Sequence, residues 1–251
     1  MNILLTNDDG IYAQGLYSLY EVLKDEHEVF VVAPDSECSA VGHAITLANP
    51  LRVRSVKRKG SVFGWALNGT PADCVKLAVH DLIKKPIDLV ISGINHGANI
   101  GINVLYSGTV SAAAEAAILG IKSAAVSLDT YRAPDFCFAA NFAKRLIAWL
   151  NEVDLSSGVT INVNVPALPP DQILGVRATR QGTSGFVEQF DKRVDPRGNI
   201  YYWQTNSETS AIHKDDDIDS IALKQGFITI TPIHFDLTSY TILNSLPVSQ
   251  I

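Results

Sequence analysis

Ile3-Leu4-Leu5-Thr6-Asn7-Asp8-Asp9-Gly10 decides how the rest of the chain is read. Three apolar residues and a threonine make a short strand. It stops at a polar stretch whose glycine can take backbone angles closed to other residues. Leu16, Leu19, Tyr20 and Leu23 then recur at helical spacing and give one apolar stripe able to cover a sheet. Val29 to Val32 reads as a second strand, halted at Ala33-Pro34. Strand, turn, amphipathic helix and strand in this order are the repeating unit of a parallel sheet with helices on its faces.

The same alternation extends along the chain. Leu51 to Val56 alternates apolar and polar residues and Ser61 to Leu67 is rich in β-formers, which predicts a half-exposed hairpin. Thr70-Pro71-Ala72-Asp73 combines a capping hydroxyl, a proline at the first helical position and an acid three residues after the cap, so a helix is expected to about Leu82. Asp88 to Ile94 is a buried strand opening into Asn95-His96-Gly97-Ala98-Asn99-Ile100-Gly101. Ser107-Gly108-Thr109 precedes an alanine-rich helix from Val110 to Leu119, closed by Gly120. Ser123 to Leu128 and Thr160 to Val165 are further strands, separated by an amphipathic helix from Phe136 to Leu150.

Beyond Pro166 the segments shorten. Val176 to Thr179, Phe186 to Phe190 and Ile200 to Trp203, with the turn formers Asp195-Pro196-Arg197-Gly198-Asn199, read as a protruding β-hairpin arm. Asp217 to Leu223 is a short helix and Phe227 to Thr231 a strand returning to the sheet. The expected fold class is therefore α/β: a doubly wound, mostly parallel sheet with a C-terminal hairpin arm. No linker or repeat divides residues 1–251, which are read as one domain with an α/β core over 1–170 and the arm and C-terminal elements over 171–251.

Composition limits the partners. A chain of 251 residues that is 47% hydrophobic can bury a sizeable core without disulfides. Cys38, Cys74 and Cys137 are too few and scattered for a disulfide framework, which points to a reducing compartment. The N-terminus lacks a basic leader region, and no run is long enough to span a membrane. A net charge of −6 argues against a nucleic-acid polymer as partner, because such binding relies on basic residues. A small anionic substrate fits if a metal supplies positive charge.

In a doubly wound sheet, ligands bind beyond the carboxyl ends of the strands. Three loops there carry oxygen donors: Asp8 and Asp9 after the first strand, Ser39 after the second, and Asn95 after the Val90-Ile91 strand. Carboxylates, a hydroxyl and an amide carbonyl suit Mg²⁺, Mn²⁺ or Ca²⁺ rather than zinc or copper. Neighbouring acids repel one another, and a cation is the simplest compensation. The other reading has one Asp capping the turn and the other solvated. Ser107, Gly108 and Thr109 offer a helix N-terminus to a phosphate, or simply cap their own helix. Asn99 is placed to bond a phosphoryl oxygen or to hold a turn. His43 and His96 read as loop-orienting residues, and Asp215-Asp216-Asp217 as a solvated helix start.

These motifs closely resemble the SurE family, the stationary-phase survival proteins that act as 5'-nucleotidases. The match runs through Ile3 to Gly10, Val32-Ala33-Pro34-Asp35, Asn68 to Asp73, Ser92-Gly93-Ile94-Asn95 with Gly97 and Asn99, and Tyr106 to Val110. It continues through Asp195-Pro196-Arg197-Gly198 with Tyr201-Tyr202-Trp203, and Ile228 to Pro232. The resemblance implies a Rossmann-like core, an arm used for homodimer or homotetramer assembly, and a cytoplasmic location. It implies hydrolysis of nucleoside 5'-monophosphates, and in some members 3'-nucleotides and short polyphosphate. It also implies one divalent cation per subunit, Mg²⁺ or Mn²⁺, held by Asp8, Asp9, Ser39 and Asn95. The chain departs from the family at Cys38, where Arg is common, and at Ala40, where Gly is common.

The expected reaction is attack of water on phosphorus, with Asp8 or Asp9 orienting or deprotonating that water. Asn95, Asn99 and the Ser107–Thr109 amides would stabilise the phosphoryl oxygens. An aspartyl-phosphate enzyme would need an acid-x-acid spacing that the first strand lacks. The rival from another class is a nucleotide-binding sensor or signalling module without turnover. A receiver module would need an aspartate at the end of the Val90-Ile91 strand, where none occurs.

Overall fold

The computed structural model describes residues 1–130, 132, 135–183, 187–207 and 215–247. A nine-stranded sheet runs in the order β3 (Val53–Arg58), β4 (Ser61–Leu67), β2 (Glu28–Pro34), β1 (Asn2–Thr6), β5 (Leu89–His96), β6 (Lys122–Asp129), β7 (Val159–Pro166), β11 (Phe227–His234) and β8 (Gly175–Ala178). Its central strands are β1, β2, β5, β6 and β7. Those five pair in parallel, with Leu4 opposite Phe30 on one side and Val90 on the other. The expected doubly wound sheet is the fold observed.

The alternation of side chains along a strand explains why β1 has no polar face. Ile3 and Leu5 enter one core with Leu16 and Leu19 of α1 (Gln14–Leu23) and Leu146 and Leu150 of α4 (Cys137–Glu152). Leu4 turns the other way, into a second core with Val75 of α2 (Pro71–Leu77) and Ala112 and Ala116 of α3 (Gly108–Ile118). A strand buried on both faces reads as an unbroken apolar run, as Ile3 to Leu5 does. The alanines of α3 let that helix lie close to the sheet, because they present no bulk between helix axis and strands.

Helix α2 starts as its sequence predicts. The Thr70 hydroxyl accepts from the Asp73 amide at 3.1 Å, and the Asp73 carboxylate accepts from the Thr70 amide at 2.9 Å, a reciprocal capping box. The helix continues through a π turn at Ala78–Leu82.

The predicted hairpin forms from β3 (Val53–Arg58) and β4 (Ser61–Leu67), and it extends the main sheet because β4 pairs with β2 in parallel. Two later strands join at the opposite end. β11 (Phe227–His234) runs antiparallel to β7, and β8 (Gly175–Ala178) pairs with β11. The sheet therefore extends past residue 170. The arm is a separate antiparallel ribbon of β9 (Val187–Val194) and β10 (Ile200–Ser207), turned at Asp195, whose carboxylate accepts from the Arg197 and Asn199 amides at 2.8 Å each. Phe186, expected to begin the first arm strand, lies outside the described residues. Two short helices, α5 (Asp219–Lys224) and α6 (Tyr240–Leu243), complete the chain.

Candidate active site

Because β1 lies between β2 and β5, the chain leaves β1 toward one side of the sheet, and β5 has its next partner, β6, on the other. The loops following β1 and β5 therefore part around a crevice at the carboxyl edge, the position where ligands bind in such sheets. Asp8 and Asp9 sit at its floor. The Asp9 carboxylate accepts from the backbone amide of His96, which joins the first loop to the end of β5. The Cys38 amide donates to the Asp8 carbonyl at 2.8 Å, which ties the loop after β2 to the same place.

Asp8 is buried against the N-terminus of α3. Its carboxylate accepts from both the Thr109 hydroxyl and the Thr109 amide. Unpaired amides and the positive end of the helix dipole favour a negative group there. Gly108 makes the approach possible. A Cβ at that position would lie 2.7 Å from Asp8 Cβ and 3.0 Å from its Oδ2, inside normal contact distance.

Burial weakens both groups as acids. Burial raises the Asp8 carboxyl above its ordinary value, against the opposing effect of Thr109. Burial, and then the charge of Asp8, push Asp9 up to about 7. Glu37 adds negative charge near both. Beside them Asn7 donates from Nδ2 to the Gly10 carbonyl at 3.1 Å, while its buried Oδ1 has no partner among the described residues.

The other expected residues occupy distinct places. Asn95 Nδ2 donates to the Gly97 carbonyl at 2.8 Å, which leaves Oδ1 as the free acceptor end of the amide. Ser39 Oγ donates to Glu37 Oε1 at 2.5 Å, so its lone pairs are the part available to a further partner. Ser107 caps its own helix, accepting from the Val110 amide at 3.1 Å. Asn99 Nδ2 donates to Ser127 Oγ at 2.9 Å, and its backbone is held by Asn162 and Asn164 of β7. Among the described residues no group of three or more His, Cys, Asp or Glu side chains is arranged to hold a metal.

The family model described as "Survival protein SurE" matches residues 3–188. The chain belongs to the SurE family. It is 56% identical over 248 residues to "5'-nucleotidase SurE" of Syntrophobacter fumaroxidans, covering 98% of each chain. It is 52% identical over 246 residues to the protein of the same description in Syntrophus aciditrophicus, covering 98% of this chain and 92% of that one. The crystal structure of the SurE protein from Aquifex aeolicus superposes with a TM-score of 0.86 at 36% identity, and each chain is covered completely.

Two local features of the loop after β2 stand out. Ala40 sits at φ 57°, in the left-handed region that favours glycine. Burial, and then Asp8 and the other surrounding acids, raise the Cys38 thiol pKa, which keeps that thiol neutral.

Three further acids near the site belong to no sequence motif. Glu37 bonds Ser39, and its signal was simply proximity within a loop already singled out. Glu115 is buried in α3 between His43 and Lys76; one charged residue on an otherwise alanine-lined helix was the available clue. Asp219 is fully buried and accepts from the amides of Gly101 at 2.9 Å, Gly182 at 3.0 Å and Ser220 at 2.7 Å. It pins the loop leading to Ser107 onto the segment from which the arm departs.

Proposed function

We propose that the chain is a divalent-cation-dependent 5'-nucleotidase that hydrolyses nucleoside monophosphates. The observation that carries this reading is the pair of adjacent carboxylates, Asp8 and Asp9, buried at the carboxyl edge of the parallel sheet beside the start of α3. Relatives about half identical over nearly the whole chain are described as 5'-nucleotidases, which supports the nucleotidase part of this reading.

A hard cation fits the residues present. Two buried carboxylates, of which Asp8 raises the pKa of Asp9, together with the unpartnered Asn7 oxygen and the lone pairs of Asn95 and Ser39, form an oxygen-rich, acidic crevice. Asp8, Asp9, Ser39 and Asn95 would hold one Mg²⁺ or Mn²⁺. When bound, such an ion polarises a phosphoryl oxygen and lowers the pKa of a coordinated water.

The chain's own residues then divide the remaining work. Thr109 fixes the orientation of Asp8, so the less tightly held Asp9 is the better group to orient the attacking water and accept its proton. The Gly108 amide, among the first of α3, would be the donor offered to a phosphoryl oxygen. Asn99 has its backbone amide engaged by Asn164 and one Nδ2 hydrogen by Ser127, so the second Nδ2 hydrogen is what it would offer to a phosphoryl oxygen. Glu37 holds the Ser39 proton away from the crevice. Activity toward 3'-nucleotides and short polyphosphate belongs to the same reading of an open, positioning-based site.

The arm supports assembly as a homodimer or homotetramer, since Phe190, Tyr202 and Trp203 are each about 60% exposed on a ribbon that touches none of the main sheet's ladders. We place the enzyme in the cytoplasm, in keeping with three unpaired cysteines. The deciding experiment measures phosphate release from a panel of 5'- and 3'-nucleotides with Mg²⁺ or Mn²⁺. Turnover should be lost with EDTA and with Asp9→Asn; full activity under either condition refutes the assignment, and binding without release favours a sensor.

A further inference from the structure

The stretch from Asp35 to Arg52 contains no helix or strand, yet it brings Glu37 and Ser39 to the acid pair. Its backbone is fastened at several points. The Cys38 amide donates to the Asp8 carbonyl at 2.8 Å, and the Gly42 amide to the Tyr106 carbonyl at 2.9 Å. The Thr46 amide donates to the Asp73 carboxylate at 3.0 Å, and the Thr70 hydroxyl to the Ala44 carbonyl at 2.7 Å. One side chain in the middle of this stretch reaches a buried charge: His43 Nε2 lies 2.8 Å from Glu115 Oε2.

Glu115 is 3% exposed, in a helix whose other buried residues are small and uncharged. An unpaired carboxylate there would cost several kcal/mol. Lys76 of α2 satisfies one oxygen at 2.7 Å, and the second is left for the loop histidine. Burial pushes Glu115 up, but the hydrogen bonds from His43 and Lys76 outweigh it and the group lies below its ordinary value. Both partners therefore hold a charged Glu115. His43 follows Gly42, which is bonded beside Ser107, and comes four residues after Ser39. Its contact holds the loop against α3.

We infer that Glu115 is a positioning residue: acting through His43, it fixes the loop that presents Glu37 and Ser39 to Asp8 and Asp9, and so sets how tightly the site takes a divalent cation and a phosphate ester. This rests on the proposed function for its cation and substrate, while the holding of the loop stands on the geometry alone. Glu115 touches no reacting atom.

The test is His43→Ala, with His43→Gln as the conservative rescue and Glu115→Gln as a second variant that keeps side-chain shape and removes charge. Outer-sphere changes of this kind weaken metal binding by roughly 10- to 100-fold. Mn²⁺ affinity, read by thermal shift, should fall by about that factor in His43→Ala and in the same direction in Glu115→Gln. The KM for a nucleoside monophosphate should rise more than kcat falls, and His43→Gln should recover most of the loss. Hydrogen exchange at the Gly42 and Thr46 amides should quicken in His43→Ala with or without Mn²⁺. Folded variants with wild-type Mn²⁺ affinity, KM and loop exchange overturn the inference. A wild-type protein that neither binds Mn²⁺ nor releases phosphate, while His43→Ala still frees the loop, would instead sink the proposed function.

Discussion

Replacing Asp9 by asparagine should stabilise the metal-free protein while abolishing its turnover. Asp9 stands at about 7 in the fold against 3.8 for an unperturbed carboxyl. At about 1.4 kcal/mol per tenfold change, that gap corresponds to roughly 4 kcal/mol of preference for the protonated form. The folded value is the higher one, so the unfolded chain releases the proton first as pH rises. The stabilising contribution is complete below about pH 4 and is lost as pH climbs through about 7. Asparagine keeps the shape and carries no charge at any pH. Partial solvent access reduces the figure, which leaves Asp9→Asn ahead of wild type by about 2 to 4 kcal/mol at pH 8 and by close to nothing at pH 4. For a chain of this size that is a Tm difference of about 4 to 16 °C. The assay is differential scanning calorimetry in EDTA across pH 4 to 8. Taking the difference between the two proteins cancels groups common to both. Saturating Mn²⁺ should then raise the wild-type Tm at pH 8 and leave the variant nearly unmoved. A variant less stable than wild type at pH 8 in EDTA, with a gap that does not change with pH, would show that Asp9 is not a buried, repelled acid.

Gly108→Ala should drive a methyl group to within 2.7 Å of Asp8 Cβ. The expected outcome is a loss of about 1 to 3 kcal/mol in stability and at least ~100-fold in kcat/KM, read by thermal melts and phosphate release. Ala40→Gly relieves a left-handed alanine at φ 57° and should gain about 0.5 to 1 kcal/mol, since glycine's extra chain entropy offsets part of the relief. An unchanged or lowered Tm would mean that the loop carries no strain there. Deleting Glu188 to Gln204 should shift the mass in solution toward monomer by light scattering; an unchanged oligomer removes the arm from the interface.

Much of this fold was legible because its signals are local. The run Ile3 to Leu5 with its polar stop, and the Thr70-Pro71-Ala72-Asp73 helix start, each carry their structural consequence within a few residues. Local signals failed where pairing is distant. Val176 to Thr179 reads like the arm strands that follow it, and only the partner β11, some fifty positions later, makes it part of the main sheet. The site shows the same division. Asp8 and Asp9 directly follow β1, and Asn95 stands at the carboxyl end of β5, places that a strand pattern marks by itself. The seating of Asp8 on Thr109, the clamp of Glu115 on His43, and Asp219 beneath Gly101 join residues far apart in sequence. No periodicity announces such bonds. The same holds for α3: its N-terminus was expected to serve a phosphate, and its Thr109 donors go to a carboxylate of the chain itself.

The placement of β11 between β7 and β8 has a consequence for biosynthesis. A ribosome-bound chain that has emerged only to the arm already contains every residue proposed to hold a cation or phosphate, but β8 has no strand to lie against and Gly101 has no Asp219 beneath it. A chain stopped at the arm would therefore hold the residues proposed for the cation without β11 to complete the sheet or Asp219 to fasten the loop that leads to Ser107.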